Sequence, residues 1–356
     1  MKPIRQPMAL VGAFVAAGLA VSACGGSSNA ADENALVVAM GHEAPYPGEE
    51  AVLYAIPKGL GLFDEYGIDV SYQPTAGSSV AVQLVQAGEA DLGQGNPSAV
   101  LAAVNKGVDV KVTYNLIPEY GSGLAVLPDS DIESPEDLGG ATVGVSSLSS
   151  SRLPEAKAMA EEAGASDVEY VAVGVGAQAA SALTSGKVDG LYLWNAAYKA
   201  VELSGTDLRV IHDVFSDSSQ LLDFVQYASG DAIENKADAI EKLGKAGAIA
   251  QQWAEQHPEE ALDLFYDEFP NAETDSAGRQ RDLEILKFTL EQFDPAGTGQ
   301  SGYGDTPEDR TDATAAFLEE HDLIPEALPA DDYVDNQFVE AYNDFTDGDV
   351  AELKAP

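Results

Sequence analysis

From Ala35 onward, short runs of β-favouring residues alternate with stretches of helical apolar spacing, and this alternation limits the fold more than any other feature of the chain. Residues 36–40 (LVVAM) read as a strand, 49–60 as a helix, 68–72 as a strand, 78–87 as a helix and 90–93 as a strand. Such a run predicts a parallel sheet, because a helix must carry the chain back across one face before the next parallel strand begins. The pattern resumes with a strand at 142–145 (TVGV), a helix at 151–163, a strand at 168–173, a helix at 177–184 and a strand at 190–194. Between the two units, 123–127 (GLAVL) reads as a strand, and Ser134 caps a short helix that has Pro135 at its first position. After the second unit, 222–228 (LDFVQYA) is another strand and the remainder is helical. The 356-residue length is more than one core usually organises. The expected fold class is therefore α/β with two lobes, each a mostly parallel sheet flanked by helices, joined by two crossing strands. Residues 35–127 with 229–356 form the expected lobe 1, and 128–228 an inserted lobe 2.

An internal comparison agrees. At an offset of 98, residues 77–96 align with 175–194, and Gly88 matches Gly186 while Asp91 matches Asp189. Both stretches run through a glycine-containing turn, a helix, a short break and a strand. Asn96 and Trp194 then fall at or just past the C-terminal ends of their strands, where open α/β sheets bind ligands. If the lobes face each other, both residues line one cleft.

The N-terminus is of a different kind. Lys2 and Arg5 precede an apolar stretch at 8–21, the shape of a signal peptide at 1–23 and shorter than a bilayer span. Residues 19–25 (LAVSACG) resemble a bacterial lipobox, which makes Cys24, the single cysteine, the expected lipidation site. Residues 24–34 then form a flexible, lipid-anchored tether. Loss of the leader leaves 16 basic against 60 acidic residues, a formal charge of −44. A field of that sign repels nucleic acid and anionic lipid, so no nucleic acid is expected, and the membrane is met through the lipid only. Near the C-terminus, Gly348 stands where a calcium loop has its glycine, yet Phe345 and Lys354 occupy positions that need ligands.

Four segments, 58–70 (KGLGLFDEYGIDV), 84–96 (LVQAGEADLGQGN), 134–145 (SPEDLGGATVGV) and 183–194 (LTSGKVDGLYLW), occur in the order found in a known family. The chain resembles the type II solute-binding proteins of ABC importers, in the branch that binds nitrate, sulfonates, taurine and thiamine pyrimidines. The resemblance spans about 36–250. It implies the two-lobed type II periplasmic-binding-protein fold, closing on a small-molecule solute that is delivered to an ABC permease and its ATPase. It also implies a monomer at the outer face of the cell membrane. The region after about residue 271 departs from the family, with a Gly-rich stretch at 297–304 (GTGQSGYG).

Candidate cleft residues come from strand ends and helix starts. Ser78 and Ser79, Asn96, Ser149 and Ser150, and Gly176 each precede or open a helix, where free backbone N–H groups hold polar or anionic ligand atoms. The alternative for each is an ordinary cap. Tyr46, Tyr120 and Trp194 are candidates to stack on a planar solute, against a plain core role. His42 and Glu43, after the first strand, are candidates to hydrogen-bond a ring nitrogen or amine. Arg152 is the one arginine near these helix starts, and facing solvent is its commoner fate. Stretch 174–179 (GVGAQA) mimics a dinucleotide fingerprint without the acid such a site needs, so no cofactor is expected. His42, His212, His257 and His321 are too scattered to suggest a metal, and no nucleophile elbow occurs. The family resembles a pyrimidine synthase too, but its cysteine-rich signature is missing, so no enzyme is expected. The alternative to a receptor is a sensory or adhesion lipoprotein on the same fold.

Overall fold

The structure, a computed structural model, describes residues 33–42, 44–118, 120–212, 221–296 and 298–356. The expected leader, Cys24 and Glu43 lie outside the described residues. Ten strands build two five-stranded sheets. The first holds β1 (Ala35–Ala39), β2 (Asp69–Gln73), β3 (Leu92–Gly95), β4 (Val110–Ile117) and β10 (Phe224–Ser229), in the order β2-β1-β3-β10-β4. The second holds β5 (Ser122–Val126), β6 (Thr142–Val145), β7 (Glu169–Ala172), β8 (Gly190–Trp194) and β9 (Arg209–Ile211), in the order β7-β6-β8-β5-β9. In each sheet three parallel strands sit beside an antiparallel one. The two sheets therefore follow one plan, as an α/β fold of two mixed sheets flanked by helices.

The matched residues of the internal comparison explain why the plan repeats. Gly88 and Gly186 both take the left-handed conformation, at φ 70 and 69, that ends a helix before the next strand. Asp91 accepts from the Val37 N–H (2.9 Å) in β1, and Asp189 accepts from the Thr142 N–H (2.8 Å) in β6. The same carboxylate ties the entry of the sheet's central strand to its parallel neighbour, β3 to β1 and β8 to β6, in both sheets.

Two strands sit elsewhere than expected. Ser122–Val126, read as closing lobe 1, pairs with β8 and β9 in the second sheet. Phe224–Ser229, read as the end of the inserted stretch, lies between β3 and β4 in the first. The chain thus enters the second sheet with its antiparallel strand β5 and returns to the first with its antiparallel strand β10. β4 and β9 are additional strands. Asn34, read from sequence as the end of a flexible tether, belongs to the fold, since its carbonyl accepts from the Asp69 N–H at 2.9 Å.

The first sheet packs under Trp253, Leu262 and Phe265 from the helices Ala237–Gln256 and Pro258–Glu268, all at or below 1% exposure. The C-terminal region is not confined to that sheet. Helix Glu308–Glu320 places Ala315, Phe317 and Leu318 in one apolar cluster with Leu101, Leu124, Val143 and Tyr192, drawn from both sheets' surroundings. Within the Gly-rich stretch, the Gly304 carbonyl accepts from the Asn115 N–H of β4 (3.0 Å). Its φ of 80 and the rings of Tyr114 and Tyr342, 2.8 Å from where a Cβ would stand, leave room for glycine only. At the chain end, Thr346 and Asp349 cap the helix Asp347–Glu352 reciprocally, a structural use of the acids there. No helix among the described residues is long and apolar enough to cross a membrane.

Candidate solute-binding cleft

Loops that follow β1 and β2 in the first sheet meet the loop after β6 and the end of β8 in the second. On one side of the seam the Ser149 hydroxyl donates to the Ala76 carbonyl (2.8 Å), while a Cβ on Gly77 would stand 3.1 Å from the Ser149 oxygen. On the other side, Trp194 at the end of β8 lies close to the Tyr46 phenol, from the loop after β1. Trp194 and Tyr46 are both half-buried.

Beneath Tyr46 lies a cluster of polar groups. Just after the loop, the chain enters a helix that opens with Glu49 and Glu50 and then winds as a π-helix over Ala51–Ala55 before returning to α geometry at Ile56–Gly59. π-Helical turns are rare and gather at functional sites. Glu49 and Glu50 are 2% and 0% exposed. The Tyr46 hydroxyl donates to the Glu49 carboxylate. His42 Nε2 stands 2.7 Å from Glu50 Oε1 and 3.9 Å from Glu49 Oε2, its ring stacked on Phe224 (5.8 Å, 3°) and edge-on to Tyr46 (5.2 Å). That 2.7 Å approach pairs the imidazole with one Glu50 oxygen, while the other, Oε2, has no hydrogen-bond partner. Behind them, Gln94 of β3 and Gln226 of β10 face each other in register, and Gln94 Nε2 donates to the Tyr72 hydroxyl (3.0 Å). The Gln94 oxygen is unpaired.

Burial and charge set the protonation of this group. Burial would lower the His42 imidazole, but Glu50 and then Glu49 overcome it and hold it at about 9. Burial lifts Glu49 to about 6, with His42 opposing and Glu50 adding to the rise. Burial likewise lifts Tyr46 far above the phenol range, helped by both carboxylates and opposed by the nearby Trp194.

A second buried network lies at the connections between the sheets. Arg152, expected to face solvent, is 5% exposed, bonding Glu155 (3.1 Å) through Nη1 and Asp223 through Nη2, with its guanidinium 5.3 Å from the Tyr120 ring centre. Tyr120 donates to Glu155 (2.7 Å) and meets the Tyr192 hydroxyl (2.8 Å). Arg152 is therefore committed to protein carboxylates. Asn96 is spent in the same way: its oxygen accepts from the Ser98 N–H (2.8 Å), and its amide donates to the Asp223 carbonyl (3.1 Å). Beside Tyr120, a cavity of about 230 Å³ is lined by Ile117, Asn195, Glu291, Asp294 and Thr298, apart from the His42 group.

Of the residues singled out from sequence, His42, Tyr46 and Trp194 come together. Tyr120 sits in the Arg152 network, and Asn96 is a helix cap. Ser78 is buried with its hydroxyl accepting from the Asn96 N–H (3.2 Å), and Ser79 is exposed. Ser149 belongs to the seam, whereas the Ser150 hydroxyl accepts from the Arg152 N–H (3.2 Å), capping its own helix. Gly176 begins the helix Ala177–Thr184 with φ 55, 3.6 Å from Ala200 as measured to its missing Cβ. Glu49, Glu50, Tyr72, Gln94 and Gln226 escaped the sequence reading. An acid pair in a first helical turn looks like ordinary dipole matching. The search for clustered histidines also missed that one histidine with two acids brings three metal-ligand atoms within 4.8 Å of one another.

Two mixed α/β sheets of one plan, meeting at their strand ends, define a periplasmic-binding-protein fold. The chain belongs to the NMT1/THI5-like family, whose model matches residues 50–261. It is 23% identical over 276 residues to a formylaminopyrimidine-binding protein of Halalkalibacterium halodurans, covering 76% of this chain and 82% of the relative. Among solved structures, a Bordetella bronchiseptica protein superposes with a TM-score of 0.66 at 22% identity, over 87% of this chain and 97% of its own. An alkanesulfonate-binding protein from Xanthomonas axonopodis pv. citri, bound to MOPS, does so with a TM-score of 0.62 at 15% identity, over 85% and 98%.

Proposed function

We propose that this protein is the extracytoplasmic solute receptor of an ABC importer, capturing a small organic molecule between two α/β lobes and presenting it to the permease. The observation that carries this reading is the meeting of His42, Tyr46 and Glu49 from the first sheet with Trp194 from the second. A site assembled from both sheets forms only when they close, so binding and closure are one event. Under this reading the chain crosses between the lobes after β4 and again before β10. The formylaminopyrimidine-binding relative supports a ring-bearing solute, and the aromatic rim of His42, Tyr46, Phe224 and Trp194 supports a flat one. Under this reading Cys24 carries the lipid that keeps the receptor beside its permease, and the chain acts as a monomer.

The test is a thermal-shift screen of the purified protein against pyrimidines, thiamine, taurine, alkanesulfonates, nitrate and amino acids, followed by calorimetry. A solute at 100 times its Kd adds about 2.7 kcal/mol of stability. A panel without a single binder contradicts the receptor reading and favours a sensory or adhesion lipoprotein.

A further inference from the structure

We propose that the helix Glu308–Glu320 is a brace on both crossings between the sheets and sets how readily the two lobes part. The inference goes beyond solute capture and concerns the motion that capture requires.

The crossings are paired with each other. Asp223, just before β10, donates its N–H to the Ile117 carbonyl at the end of β4 (3.2 Å), and the Tyr120 N–H donates to the Leu221 carbonyl (3.0 Å). In an antiparallel pair the backbone groups in between point away from the partner strand and need partners elsewhere. Two of them find the helix. Arg310 Nη1 donates to the Pro118 carbonyl (2.7 Å), and the Leu222 N–H donates to the Thr314 hydroxyl (3.0 Å), which donates in turn to the Arg310 carbonyl (2.8 Å). One turn of the helix thus holds one group from each crossing. Arg310, Thr314 and Leu222 are all buried, so losing either bond strands a polar group away from water.

The helix is also fixed to both lobes. Its Phe317 and Leu318 pack in one apolar cluster with Leu101, from the helix Pro97–Val104 beside the first sheet, and with Leu124 and Val143 of the second. Other elements grip the returning crossing: Arg152, which opens the helix Arg152–Glu162, holds the Asp223 carboxylate, and the Asn96 amide holds its carbonyl (3.1 Å). Parting the lobes rotates the crossings between them. A helix packed on both lobes cannot follow both, so opening breaks the Pro118 bond, the Leu222 bond or the two together. The intact brace therefore favours the closed arrangement even without solute. It lies outside residues 50–261, the part that the family model matches.

The experiment is a spin-label distance measurement on the purified protein without solute. Lys106 and Lys187, exposed just past helices of the first and second lobes, are changed to cysteine, and Cys24→Ser removes the native thiol. With the brace intact, one narrow distance is expected. Thr314→Val keeps the side chain's shape and is expected to raise the population at a second distance about fivefold, the scale of one buried hydrogen bond. Arg310→Gln is expected to act in the same direction, and the double variant to go further. Thr311→Val is the control, because it removes a bond internal to the helix, from the Thr311 hydroxyl to the Pro307 carbonyl (2.7 Å), and is expected to leave the distances unchanged. An unchanged distribution in the double variant overturns the inference. A Thr311→Val protein that opens as far overturns it too, since the effect is then one of helix stability, and so does an intact brace whose distances are already split. No solute enters the measurement, so a failed solute screen leaves the brace standing, and a failed brace leaves the receptor reading standing.

Discussion

His42 is the residue whose environment makes the sharpest forecast. Its folded value of about 9 lies above the ordinary 6.5, so the folded chain holds that proton more tightly. Its contribution to stability is complete below pH 6.5 and is lost as pH climbs through 9. Glu49, raised to about 6 from 4.5, has the same sign: its contribution is complete below 4.5 and fades through 6. The groups facing His42 are Glu49, Glu50, Tyr46 and Phe224, so no nearby cation reverses the sign. Urea unfolding is expected to show stability falling between pH 6.5 and 9 by at most about 3 kcal/mol, and His42→Gln to flatten that slope. A slope unchanged in the variant would assign the titration elsewhere. At this scale the sequence was uneven reading. Trp194 was legible because a large aromatic ends a strand at the sheet's binding edge. Glu50 was not, because its buried pairing with His42 depends on how the loop after β1 folds back on the helix that Glu50 opens. Asp91 and Asp189 stood out as a repeat, but only the fold shows that each binds the backbone of a neighbouring strand.

Among elements, the alternating helices and strands of both units were visible in the sequence because periodicity and left-handed glycines are local signals. The helix Ala177–Thr184 has the bounds that its pattern predicts. Strand order was not visible. β5 opens the second sheet and β10 closes the first, each antiparallel to its neighbours, and no local pattern records which neighbours they find. The C-terminal helices were read merely as helical, yet Glu308–Glu320 shares an apolar cluster with β5, β6 and β8. Leu318 is 2% exposed there. Leu318→Ala is therefore expected to lower unfolding stability by about 2–5 kcal/mol, as for a core leucine. A loss within the experimental noise in the urea midpoint would make that helix a loosely held appendage.

For the whole molecule, the balance of 60 acids against 18 basic residues dominates. Many of these acids face solvent, where like charges repel and salt screens them within about 10 Å at 0.1 M. Raising sodium chloride from about 0.05 to 1 M is expected to raise the melting temperature, whereas a fall would mean that ion pairs such as Lys58–Glu268 and Arg279–Asp263 outweigh the repulsion. The two sheets meet through neutral groups, the Ser149 hydroxyl on the Ala76 carbonyl and Trp194 beside Tyr46. That seam is where receptor function stands or falls. The direct measurement is the calorimetric affinity of the wild-type protein and of Trp194→Ala for the solute that binds. A loss of at least about tenfold with an unchanged melting temperature is the predicted result, on the scale of a lost aromatic contact in a closed site. Equal affinities would place the solute away from the seam between the sheets and contradict the account.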